Sequence, residues 1–297
     1  MSGLPVAEIT AITHCAEIPV LDEGEEAWEL AFDAATAVVE RNSVPLDEVG
    51  QVIYAGSGEW DLPLWSPAAK VADELGIARA HCFEIVNFCN ASTAAIRTGM
   101  DAVLTGWADY VLLLLGDRMS RFIDYTDPDS KSLFNFGDTA TAMLLGRTGE
   151  DFRLLHTATR TDPSWCEFYS GEREEHRAVV RRRGRRPGAA DAYVENLSAL
   201  VGETLSALGK SADDVAHLLI NHSNRTTHER LLDRLGLPRE RSVFNYDRLG
   251  HMGASDPFIA LRGLLAEKRL RQGDLVLLLS SGFGFSWGVT AVEYRGA

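Results

Sequence analysis

The feature that most constrains this chain is that it is written twice. Leu46 to Tyr54 reads Leu-Asp-Glu-Val-Gly-Gln-Val-Ile-Tyr, and Ala212 to Ile220 answers it, 166 residues on, as Ala-Asp-Asp-Val-Ala-His-Leu-Leu-Ile. Asp109 to Leu114 is answered by Asp274 to Leu279 at an offset of 165. Two separate matches at nearly one offset point to a duplicated structural unit. The chain then divides into halves, 1–150 and 151–297.

Each half reads alike. An amphipathic helix comes first, over Glu25 to Arg41 and again over Asp191 to Leu208, with Trp28, Leu30, Ala31, Ala34 and Val38 at helical spacing in the first copy. A turn carrying two acids leads into an uninterrupted apolar strand, as expected where both faces of a sheet are covered. A second helix follows, over Ala91 to Thr105 and over Pro257 to Arg271, and a Gly and an Asp lead from it into the next apolar strand. Gly-rich turns precede a last strand, Ala140 to Leu145 and Val289 to Tyr294. Alternating helix and buried strand implies a layered α/β architecture. Two such halves about a pseudo-twofold axis set equivalent turns opposite each other. The segment around Cys89 then faces its counterpart near Ala254, 165 residues on.

Composition narrows the functional classes. An apolar fraction of 45% and a charged fraction of 24% are those of a globular protein, so disorder is excluded. A net charge of -14 argues against nucleic acid, whose phosphates need clustered Lys and Arg. One basic run departs from that balance: Arg177, Arg181, Arg182, Arg183, Arg185 and Arg186, broken by Gly184 and Pro187 and therefore read as a loop. It is either a solvated loop or a contact for a phosphate-bearing carrier. The four cysteines (Cys15, Cys82, Cys89, Cys166) form no CxxC pair and no ligand spacing, so neither metal nor redox cofactor is expected. The N-terminus has no secretory pattern and no apolar run is long enough to span a bilayer, so the expected compartment is the cytoplasm.

Four stretches together resemble the ketoacyl synthase III branch of the thiolase superfamily, over nearly the whole chain. Asn87-Phe88-Cys89-Asn90-Ala91-Ser92 stands where that family has its nucleophilic cysteine. Arg118 to Asp138, with Asp124-Tyr125-Thr126-Asp127 and Phe136-Gly137-Asp138, is similar to the family's post-strand region. Asn221-His222-Ser223-Asn224 lies where the family has its catalytic histidine, and Gly282 to Gly288 resembles its Gly-rich closing loop. The resemblance implies a thiolase fold of duplicated halves in an αβαβα arrangement, and a homodimer. It implies an acyl-enzyme thioester on Cys89, loaded from acyl-CoA or an acyl-carrier protein.

Three departures qualify it. Condensing members carry Gly-Asn at the third catalytic position, where this chain has Gly250-His251, with Asp256 five residues later. Relatives that transfer acyl groups to oxygen or nitrogen use Cys, His and Asp. Phe283 interrupts the usual run of glycines, and the N-terminus is short.

The chemistry asks for these residue types. Thioester exchange needs a thiolate, and a helix N-terminus such as that following Cys89 favours an anion by up to ~2 kcal/mol. A base is still useful. His222, at the end of the apolar strand Leu218-Leu219-Ile220, is the expected base, with Asp256 orienting its far nitrogen and His251 the competitor for that third role. The backbone N–H groups of Cys89 and of Phe283 or Gly284 are the expected oxyanion donors.

The plainer readings are a core cysteine, a structural His222, a pocket-lining His251, and Asp256 as a helix cap before Pro257. His14, His156, His176 and His228 read as surface residues, and Trp60, Leu62 and Trp65 as an interface or channel lid. The expected function is transfer of an acyl group through Cys89 to a small-molecule hydroxyl or amine acceptor, in secondary metabolism. A decarboxylative β-ketoacyl synthase and an inactive partner subunit are the alternatives.

Overall fold

The computed structural model describes residues 3–149, 151–174, 177–183 and 186–296. Along the chain the elements are α1 (Val6–Thr13), α2 (Ala27–Asn42), β1 (Val49–Gly56), α3 (Pro67–Leu75), β2 (His81–Val86), α4 (Ala91–Thr105), β3 (Tyr110–Arg118) and β4 (Asp138–Gly146). There follow β5 (Phe152–Thr161), β6 (Tyr169–Glu174), β7 (Arg177–Arg182), α5 (Ala189–Ala207), β8 (Val215–Ile220), α6 (Arg225–Leu235), α7 (Tyr246–Leu249), α8 (Asp256–Ala266), β9 (Leu275–Gly282) and β10 (Ser286–Tyr294).

Local signals account for many boundaries. Glu26 and Glu29 form a capping box at the start of α2. Ser66 accepts from the Ala69 amide, Pro67 opens α3, and Gly76 ends it in the left-handed region.

The strands form two four-stranded sheets, ordered β2-β1-β3-β4 and β5-β10-β9-β8, and a small β6-β7 hairpin. In the first sheet β1 runs parallel to β2 and β3, and β4 is antiparallel to β3. In the second, β8 is parallel to β9, and β10 is antiparallel to both β9 and β5. The duplication extends to an irregularity: the β1–β3 register shifts between Val49 and Gln51, and the β8–β9 register shifts between Val215 and His217. Those sites are equivalent in the repeat.

Alternate residues of each strand serve different layers. Val52, Tyr54, Leu112 and Leu114 pack outward on Ala31 and Ala35 of α2 and Val71 of α3. Ile53, Ala55, Leu113 and Leu115 pack inward on Ala91, Ala95, Ile96 and Val103 of α4. From the second sheet, Leu219, Val276 and Leu278 meet Ala260, Leu261 and Leu264 of α8. On its other face Leu218, Ile220, Leu277 and Leu279 meet Leu197, Leu200 and Val201 of α5 and Leu231 and Leu232 of α6. The result is the αβαβα sandwich that the family resemblance implies, with α4 and α8 in the middle layer.

The halves are not identical. β5 lies outside β10, whereas among the described residues no strand lies outside β4.

Some sequence expectations are corrected. The basic run is a strand rather than a loop over Arg177–Arg182, although Gly184, Arg185 and His176 lie outside the described residues. His228 is fully buried, and His14 and His156 are partly so. Trp60 turns inward against Tyr54, with ring centroids 5.2 Å apart, while Leu62 stays exposed. Among the described residues no helix is long and apolar enough to cross a membrane.

Candidate active site

The chain leaves edge strand β2 at Val86 and makes a single 3-10 turn, Phe88–Asn90, before α4 begins. Phe88 takes φ 51°, a left-handed conformation that costs an L-residue about 1–2 kcal/mol. Such strain at a strand-to-helix turn marks a position where geometry outweighs propensity. Cys89 sits at the middle of that turn, buried, with α4 running away from it.

The β9–β10 hairpin is fastened to this turn by short polar side chains. Ser280 Oγ donates to Asn90 Oδ1 at 2.8 Å, and Ser286 Oγ donates to Asn87 Oδ1 at 3.0 Å. Gly282 allows the approach: a Cβ there would lie 2.6 Å from the Asn87 carbonyl oxygen and 3.1 Å from the Asn90 nitrogen.

The counterpart of the Cys89 turn, Gly253–Ser255, packs against it as the repeat requires. Gly250, with φ 62°, brings the chain close enough for the His251 amide to donate to the Asn135 carbonyl at 2.7 Å. A Cβ at 250 would stand 2.2 Å from that oxygen, so only glycine fits. This sets the His251 ring beside Cys89. Its Nε2 lies 3.2 Å from Cys89 Sγ, and its Nδ1 lies 2.6 Å from Asp256 Oδ2. The ring thus lies in line between the sulfur and the carboxylate, Nε2 toward Cys89 and Nδ1 toward Asp256.

Asp256 is the hub of the site. It is buried and accepts from the His251 ring, the His222 amide at 2.7 Å, the His222 ring at 3.2 Å and the Met252 amide at 3.0 Å. Burial pushes its carboxyl up, but His222 and His251 outweigh that and hold it well below the usual carboxylate range. Burial likewise opposes charge on His251, but the Cys89 sulfur and the Asp256 carboxylate lift the imidazole to about 10. Asp256 opens α8 without capping it, because its oxygens face the histidines.

The structure therefore reverses the expected order of the two histidines. His222 does not face Cys89: its Nδ1 meets Asp256 Oδ1 and its Nε2 meets the Val243 carbonyl at 3.0 Å. His251 takes the place beside the Cys89 sulfur that was expected of His222, and His222 lies on the far side of the carboxylate. Asn221, which the sequence reading passed over, lines the pocket in place of His222. The Tyr193 hydroxyl donates to Asn221 Oδ1 at 3.0 Å, and Asn221 Nδ2 donates to the Ser281 carbonyl at 3.1 Å. The β8 ladder ends at Ile220, so strand alternation gave no means to choose between 221 and 222. Behind them His228 is held by Tyr246 and Ser242, and burial drives its imidazole well below its ordinary value. That is a structural histidine.

A cavity of ≈ 190 Å³ opens beside Cys89 and His251. One wall is aromatic (Phe136, Phe168, Tyr169, Phe283 and Phe285) and the other is neutral and polar (Tyr193, Asn221, Ser223, Asn224 and Thr227). Among the described residues no Lys, Arg, Asp or Glu lines it.

The basic run lies near the rim and is largely neutralised. Arg181 pairs with Asp124 at 2.8 Å, Asp127 at 3.2 Å, Glu172 at 3.4 Å and also Glu174, and Arg183 pairs with Glu172. Arg182 and Arg186 form no ion pair among the described residues. They lie over the rings of Phe168 and Trp165, at 5.0 Å and 3.9 Å.

Comparison with known proteins agrees with this fold. The family model described as 3-oxoacyl-[acyl-carrier-protein (ACP)] synthase III matches residues 83–163, and that described as its C terminal matches residues 205–294. The chain is 28% identical to beta-ketoacyl-[acyl-carrier-protein] synthase III 3 of Streptomyces coelicolor, covering 96% of this chain and 88% of that protein. Among solved structures, beta-ketoacyl-[acyl carrier protein] synthase III of Thermus thermophilus superposes with a TM-score of 0.88 at 24% identity, covering 100% and 93% of the two chains. A variant of OleA from Xanthomonas campestris superposes with a TM-score of 0.86 at 18% identity, covering 98% and 89%. These superpositions place the fold among thiolase-type structures.

Proposed function

We propose that this chain, which belongs to the ketoacyl synthase III-like branch of the thiolase superfamily, carries an acyl group as a thioester on Cys89 and delivers it to a hydroxyl or amine. The supporting observation is the continuous line from Cys89 through His251 to Asp256, with His222 turned away from the thiol.

In this reading the Cys89 sulfur gives its proton to His251 Nε2 and attacks the carbonyl of a coenzyme A or carrier-protein thioester. The oxyanion is met by the amides of Cys89 and of Phe283 or Gly284 at the hairpin tip. The carbon–sulfur bond to the donor then breaks, and the departing thiolate takes the proton from His251. In the second half His251 removes a proton from the acceptor as its oxygen or nitrogen attacks the acyl carbon. Cys89 leaves as thiolate and the tetrahedral centre collapses to ester or amide. Asp256 holds the imidazolium formed in each half.

A condensing site holds an enolate with two neutral donors. Here Asn221 is one neutral amide, while the other position is a histidine bound to a carboxylate. That favours proton removal over enolate stabilisation. Relatives named beta-ketoacyl-[acyl-carrier-protein] synthase III favour decarboxylative condensation as the second reading. Labelled malonyl-carrier protein separates the two. The expected outcome is acyl transfer from an acyl thioester to hydroxylamine or an alcohol, with little carbon dioxide released from the malonyl substrate. Brisk decarboxylation with a β-ketoacyl product would restore the condensing reading.

A further inference from the structure

His222 stands outside the line that runs from Cys89 through His251 to Asp256, yet it is fully buried and bonded at every polar atom of its ring. Its Nε2 lies 3.0 Å from the Val243 carbonyl, and its Nδ1 lies 3.2 Å from Asp256 Oδ1. A carbonyl has no proton to give. Nor has the Asp256 carboxyl, which is held ionised well below the usual range. Both ring nitrogens therefore donate, and an imidazole that donates twice is an imidazolium. His228, one layer further out, makes the contrast. Ser242 Oγ gives its only proton to the Leu218 carbonyl and so accepts from His228 Nε2 at 2.8 Å. The Tyr246 hydroxyl, 3.2 Å from His228 Nδ1, supplies a proton on the other side. His228 needs one proton; His222 needs two.

Resting on the thioester reading, we propose that His222 is a positioning residue that acts by its charge: a fixed imidazolium behind Asp256 that loosens the carboxylate's hold on the His251 proton. Asp256 then lies between two cations, one at each oxygen. The phenols of Tyr193 and Tyr246 also feel that carboxylate, but burial pushes both up, so neither adds charge. Tyr246 sets its ring against His222, with centroids 4.7 Å apart at an interplanar angle of 72°. Arg225 and Arg239, outside Tyr246 and His228, are paired with Glu229. Once Cys89 is acylated its sulfur carries no charge, and His251 answers to Asp256 and His222. The carboxylate favours the His251 imidazolium; the second cation disfavours it. The neutral base that deacylation needs is thus set free at a lower pH than Asp256 alone allows.

Two measurements on the full chain test this. Nitrogen NMR of histidine-labelled wild type, with the His222 signals assigned by their loss in His222→Gln, should show protons on both ring nitrogens at neutral pH. The second follows deacylation of acetyl-loaded Cys89 by intact-protein mass across pH. His222→Gln, checked for folding by thermal melting, keeps an amide donor but loses the charge. Its acid limb should move up by about one pH unit, the low end of what a neighbouring charge does. That is opposite in direction to the shift expected when Asp256 loses its charge. A structural role alone would lower the rate and leave the limb in place. A wild-type His222 with a single ring proton overturns the proposal without any variant, and leaves the thioester reading standing. So does a folded His222→Gln whose acid limb stays or moves down. A wild type that forms no adduct on Cys89 overturns the thioester reading and, with it, any part for His222 in deacylation.

Discussion

At the scale of single residues the site is governed by one buried carboxylate shared between two histidines with different duties. Asp256→Asn keeps the shape but removes the charge that stabilises the His251 imidazolium. Deacylation should slow by roughly 10²–10⁴-fold with Cys89 still able to load, read as accumulation of the acyl-enzyme by mass. The sign of the pH effect follows from the same pair. Asp256 raises the His251 imidazole, so losing its charge makes His251 neutral at lower pH, and the acid limb of the deacylation profile should move downward. An acid limb that moves up would show that Asp256 does not act on the base. Stability has its own sign. A carboxyl held below its unfolded value stabilises the fold above about pH 4 and loses that contribution as pH falls further. His222→Gln should slow turnover less than Asp256→Asn, because His222 acts only through the carboxylate. The members of this cluster were legible in the sequence, since Cys89, His251 and Asp256 each broke or matched a pattern. Their wiring was not. Which of two histidines meets a thiol depends on turns of a few residues, and here on the left-handed Gly250 that swings His251 inward.

At the scale of elements the hairpin joining β9 and β10 does for the site what the repeat could not. Gly282→Ala places a methyl against the Asn87 carbonyl and the Asn90 amide. It should push the hairpin off the nucleophile turn and destabilise the protein by about 1–3 kcal/mol, the usual range for overpacking, seen as a lower melting midpoint. An unchanged midpoint would mean that the turn yields freely. The buried strands and their helices were readable because covered strands are continuously apolar and their helices carry a 3.6-residue period. The β6–β7 hairpin was not. Its Arg-rich strand looked like a loop until the acids on the facing strand, Glu172 and Glu174, were seen to neutralise it. That leaves Arg182 and Arg186 as the cations near the rim without an ion pair among the described residues. If they receive the phosphates of the donor, Arg182→Ala with Arg186→Ala should raise KM for the thioester, weaken its salt dependence and leave kcat nearly intact. A KM that stays constant across salt would leave Arg182 stacked on Phe168, and Arg186 stacked on Trp165 and bonded to Ser164.

At the scale of the whole molecule the first sheet ends on a strand that begs a neighbour. Among the described residues nothing pairs with the outer side of β2, and the strand is only half buried. Its end, Val86, is 56% exposed, and the loop before α3 adds Leu62 and a fully exposed Leu64 held at φ 53°. Trp107 and His81 meet edge to face, with centroids 5.7 Å apart, at the other end of the strand. An open edge flanked by exposed apolar side chains is a liability that a folded chain covers or pairs. A second copy can pair it antiparallel about a twofold axis, each β2 completing the other's ladder, because a twofold interface uses the same patch on both subunits. Since β2 leads directly into the Cys89 turn, such pairing would also steady the strained residue before the nucleophile. The chain should therefore run as a homodimer in sedimentation at micromolar concentration. Leu64→Asp combined with Val86→Asp should give a monomer, by placing charge on the apolar patch that flanks the paired strands, and the monomer should load Cys89 more slowly. A wild-type chain that sediments as a monomer would remove the dimer. A charged variant that still dimerises would move the interface to another face.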